Sequence, residues 1–125
     1  MDVSRKFILA GAAFLILGTA LGIHMAATGH HEMAPAHAHI NLLGFTLMTV
    51  FGLVYRNYPA MKQSVMAEVH FWLHLLGSAV MLAMLYTLTA GMIGEDQMVP
   101  LAPISELTIF VGVLIFSWNL IRNGK

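Results

Sequence analysis

The sequence predicts an all-α integral membrane protein, a single domain of four transmembrane helices with both ends of the chain cytoplasmic. Three observations carry this. First, 58% of the 125 residues are hydrophobic and only 10% are charged, with a mean hydropathy of +0.78, a composition outside that of soluble domains. Second, the apolar residues gather into four runs, at about 7–27, 35–55, 67–90 and 104–120, each close to the roughly 20 residues a helix needs to cross a hydrocarbon core. Third, the cations are all on one side. Arg5 and Lys6 precede the first run, Arg56 and Lys62 separate the second from the third, and Arg122 and Lys125 follow the fourth. The two opposite connections carry Glu32, Glu95 and Asp96 and no Lys or Arg, so the positive-inside rule gives four spans with both termini cytoplasmic, and the expected location is the cell inner membrane.

The same composition excludes several kinds of chemistry. Without cysteine there are no disulfides, thiolate metal sites, iron–sulfur clusters or thioether-linked haem, and histidine, present seven times, is the strongest ligand left. A net charge of zero supplies no basic patch for a nucleic-acid partner. The expected surroundings are a lipid bilayer.

The first run begins after Arg5 and Lys6. A basic start and the small residues around Met25 to Ala27 also suit a cleaved leader, but the run exceeds the roughly 7–15 residues of a leader's apolar region, which favours a span. Gly18 and Gly22 form a small-xxx-small pair that admits a second helix closely. The polar connection from Thr28 to Ala34 holds His30, His31 and Glu32, with His24 just before it; these read as solvated groups or as an adventitious metal site. Pro35 stands where helices begin.

The second run opens with His37 and His39. On a helix turning roughly 100° per residue they point to faces roughly 200° apart, so they serve two different neighbours rather than chelating one ion. Asn41, Gly44, Thr46, Thr49 and Gly52 then give small or polar positions that leave room for a flat cofactor or a close helix. Neutral imidazole is a good axial ligand for haem iron.

In the third run His70 and His74 are spaced i,i+4 and share a face, which suits a second metal site. The bland alternative for His70 is a polar helix end beside Glu68, with Trp72 in an interfacial belt. Glu106, early in the fourth run, is an ionisable group within the membrane and a functional candidate, or an end residue reaching back to water. The ten methionines invite a Cu(I) reading but are scattered through apolar spans, where methionine is a routine packing residue.

The stretch AHAHINLLGFTLMTVFGLVYRNYP, Ala36 to Pro59, resembles the helix that carries the paired histidines in the catalytic subunit of haem-copper oxidases, most closely the C-type oxidases and nitric oxide reductases. The next span, VHFWLHLLGSAVMLAML from Val69 to Leu85, is similar to that family's following helix, so the resemblance covers about half of the chain. It implies that His37 ligates one haem and His39 another, on opposite faces of one helix. The family's subunit has about a dozen helices in three arcs of four, so this chain resembles a single arc, and a homotrimer would complete the ring. In such a trimer His37 of one subunit and His39 of a neighbour would face one haem b. The family's copper-site motif has no counterpart here; His74 is at best a loose stand-in, and no catalytic residue is assigned.

The expectation is therefore a membrane haem b protein that transfers electrons, with an electron donor or acceptor as partner, or that holds haem. The alternative is a copper- or zinc-binding membrane protein that assists assembly of a respiratory oxidase.

Overall fold

The computed structural model describes residues 1–125. It contains four helices long and apolar enough to cross a membrane, making this a multi-pass membrane protein: α1 (Val3–Thr28), α2 (Ala34–Asn57), α3 (Val65–Thr89) and α4 (Leu101–Asn123). No strand is present.

Local chemistry sets the ends of these helices. Asp2 caps α1, its carboxylate accepting from the Arg5 N–H at 3.1 Å. That bond, after the larger effect of the Ser4 hydroxyl, pulls the Asp2 carboxyl down to about 2. Gly29 ends α1 in the left-handed region, φ 69°, and its N–H donates to the Met25 carbonyl. Tyr58 is extended, as the residue before Pro59 must be, so α2 stops there. A helical turn, Pro59–Gln63, leads to Ser64, whose hydroxyl caps α3 by accepting from the Met66 N–H at 3.2 Å. α1, α3 and α4 each start two to four residues before the expected runs; for α1 and α3 the reason is a polar cap, Asp2 or Ser64, that hydropathy does not register, whereas α4 starts behind Pro100 with no side-chain cap.

The second span is not uniformly α-helical. Between Ala34–His39 and Leu47–Asn57 lies a π-helical segment, Ile40–Thr46, in which bonds reach back five residues, as from the Leu47 N–H to the Leu42 carbonyl. Two side chains bond backbone carbonyls around it: Asn41 Nδ2 donates to His37 O and Thr46 Oγ1 to Asn41 O, each at 3.0 Å.

The helices pair along the chain, α1 on α2 and α3 on α4. The tight core lies at the end that carries both termini, where Val3, Phe7, Met48, Phe51, Tyr55 and Phe71 interlock. Toward the other end the bundle opens into an apolar cleft of about 520 Å³ that runs between α1, α2 and α3 past Leu17, Ile40 and Leu82. Large apolar side chains such as Ile16, Val65 and Ile121 face outward, as lipid-facing residues do.

Candidate paired-histidine site

His37 and His39 lie on the α-helical turn that opens α2, just before the π segment. His37 is half-buried against α1: its Nδ1 sits 2.8 Å from the Gly18 carbonyl. A carbonyl only accepts, so Nδ1 carries the proton and donates, and Nε2 of the neutral ring keeps its lone pair. The approach depends on the glycine pair. A Cβ on Gly18 would come within 2.6 Å of Asn41 Oδ1, and one on Gly22 within 2.8 Å of His37 Cε1.

His39 is exposed, on another side of the helix, and its Nδ1 donates to the Pro35 carbonyl at 2.8 Å. It too is held as the Nδ1–H tautomer with Nε2 free. Backbone acceptors thus orient both imidazoles in the way that second-shell groups orient metal-ligating histidines. The donor chemistry would suit nitrogen ligands to two separate neighbours, since neither Nε2 has a partner within the chain.

His70 and His74 occupy a different place. Both are fully buried between the helices, so His70 is not the polar helix end reaching water that its position near the start of α3 suggests. It is enclosed by the rings of Phe7, Phe51 and Phe116, with centroids 5.0, 4.5 and 5.3 Å away. Its Nδ1 is hydrogen-bonded to the Tyr55 hydroxyl at 2.9 Å. His74 Nε2 donates to the Leu43 carbonyl, in the π segment, at 3.0 Å. His70 Nε2, His74 Nδ1 and the hydroxyl of Ser78, one further turn along α3, have no protein partner. The two rings are 5.9 Å apart, and no third His, Asp or Glu joins them.

The remaining candidates do not converge. His24, His30 and His31 are exposed; His30 Nδ1 lies 3.5 Å from Glu32 Oε1, but nowhere do three such groups come together as a metal site. The Glu32 carboxyl is held below its ordinary value, chiefly by a backbone N–H and then by the nearby His30. Glu106 is exposed and makes no ion pair. Glu68, beside His70 in sequence, instead turns outward to Lys6 at 2.8 Å.

Sequence reasoning missed three participants: Tyr55, Ser78 and the Leu43 carbonyl. Ser78 was legible, since His70, His74 and Ser78 follow at i, i+4 and i+8. The other two come from α2 and depend on how that helix packs. Comparison of the chain with protein-family models, curated proteins and solved structures finds no match in any of the three.

Proposed function

We propose that this protein binds haem b in the membrane through His37 and His39 and transfers electrons or holds haem, as a single-arc counterpart of the haem-copper oxidase catalytic subunit. One observation carries the reading: both imidazoles donate from Nδ1 to a backbone carbonyl at 2.8 Å, which leaves two Nε2 lone pairs on different sides of α2. A haem held there supplies a one-electron iron centre. The chain's own part is to fix two ring orientations and to surround the group with apolar spans.

Because the two rings serve different neighbours, the arrangement is completed by other copies of the chain. We assign a homotrimer in which His37 of one subunit and His39 of the next face one haem. All six Lys and Arg residues lie on the side of the bundle with both termini, and this supports our placing that side in the cytoplasm and the chain in the inner membrane.

An absorption spectrum of the purified protein, oxidised and reduced, tests the proposal. The expected result is a red preparation with a sharp reduced alpha band, lost in both His37→Ala and His39→Ala. A colourless preparation, or unchanged haem content in either variant, overturns it. A monomer that retains stoichiometric haem overturns the shared-ligand trimer alone.

A further inference from the structure

On the side that carries both termini, α1 and the end of α2 enclose a cavity of about 460 Å³ lined by Arg5, Arg56, Lys62, Asp2, Ile8 and Leu9. Three cations there face one carboxylate. That carboxylate is already engaged, by the Ser4 hydroxyl, the Arg5 N–H and, at 3.6 Å, Lys62 Nζ. Lys6, next to Arg5 in sequence, is turned away to Glu68. The guanidinium groups of Arg5 and Arg56 have no carboxylate partner. Two unneutralised forks of N–H donors therefore border one hollow at the membrane boundary, and this geometry matches phosphate oxygens.

The apolar part of the wall distinguishes among phosphates. Ile8 and Leu9 already belong to the spanning part of α1, and Ile16 and Ile23 follow Leu9 at seven-residue spacing on the same face. These three are 48%, 70% and 66% exposed, so an open apolar stripe descends from the cavity along the helix. A charged mouth above such a stripe matches a phospholipid, whereas a free anion would use only the mouth.

We infer that the cavity binds an anionic phospholipid, its phosphate between Arg5 and Arg56 and one acyl chain along Leu9, Ile16 and Ile23. A zwitterionic lipid would bring its own cation into an already cationic site, so the cavity selects a headgroup such as glycerol that carries none. The inference stands apart from the haem reading, since no residue is shared between the two sites.

Native mass spectrometry of the full chain in detergent, titrated with dioleoyl phosphatidylglycerol or dioleoyl phosphatidylcholine, tests it. Phosphatidylglycerol is expected to bind about tenfold tighter, and R5Q/R56Q to remove that preference while leaving phosphatidylcholine binding unchanged. R122Q/K125Q, which removes two cations outside the cavity, is expected to keep it. Equal affinity for the two lipids, a preference that survives R5Q/R56Q, or an equal loss in R122Q/K125Q overturns the site. Displacement of the lipid by millimolar inorganic phosphate assigns the cavity to a soluble anion and overturns the lipid. If R5Q/R56Q does not fold, R56Q alone, at an exposed helix end, reads the same preference.

Discussion

A proton on Nδ1 decides what each histidine of α2 has to offer. His37 and His39 differ in burial and in neighbour, yet each donates a hydrogen bond from Nδ1 to a backbone carbonyl and leaves Nε2 without a partner in the chain. The buried pair on α3 is tied up differently. His70 depends on the Tyr55 hydroxyl, and Tyr55→Phe leaves a buried ring nitrogen without its partner, for an expected loss of about 1–3 kcal/mol in a detergent unfolding assay. Removing both groups, Tyr55→Phe with His70→Phe, should recover much of that loss, because the ring nitrogen that Tyr55→Phe strands is then gone as well. Unchanged stability in Tyr55→Phe would show that the bond contributes nothing. Asp2 gives a pH-dependent counterpart at the helix start. Its carboxyl is depressed from 3.8 to about 2, so its capping contribution is fully present above pH 3.8 and lost as pH falls through about 2. Titration of the Asp2 carboxyl carbon by NMR checks this; a midpoint near 3.8 would mean that the Ser4 and Arg5 bonds do not form.

At the scale of the element, the second span matters most because it changes its winding at the site. The π segment directly follows His39, and its Leu43 carbonyl receives His74 from α3, so one irregular stretch adjoins both histidine pairs. Such segments interrupt α-helices frequently at functional positions. The first helix answers with glycine. Gly22→Ala places a methyl group 2.8 Å from His37 Cε1, so the imidazole must move off the Gly18 carbonyl. The helices should still assemble, since only the end of a side chain is in the way. If His37 holds haem as proposed, haem affinity should fall about tenfold or more, the usual cost of losing an orienting bond to a ligand histidine. Haem retention equal to the parent in Gly22→Ala would separate His37 orientation from binding.

For the whole molecule, the division between a packed end and an open end sets what each side of the membrane offers. The aromatic core and the cationic cavity lie with the termini; the paired histidines and the apolar cleft lie beyond it. If the cationic side is cytoplasmic, a fluorescent protein fused to Lys125 should fluoresce and an alkaline phosphatase fused there should be inactive. The reverse pair of results would invert the protein and put His37 and His39 near the cytoplasm. If the proposed shared haem site forms, light scattering of the detergent complex should give three copies of the chain; a monomer would rule out the shared site.

What the sequence by itself determined is the class of protein, the number of spans and the tautomer-independent fact that His37 and His39 diverge. These follow from composition, run length and the 3.6-residue repeat, all of which are local. The i,i+4 spacing likewise put His70 and His74 on one face. What only the tertiary structure decided is the environment of that face: hydropathy near the start of α3 suggests a water-facing end, but Phe7, Phe51 and Phe116 close over His70 from other helices. The π segment, the Gly18 carbonyl under His37 and the meeting of Arg5 with Arg56 are of the same kind. Each joins residues far apart in the chain, or depends on how a neighbouring helix packs, and hydrogen-bond partners chosen by packing leave no periodic trace in a sequence.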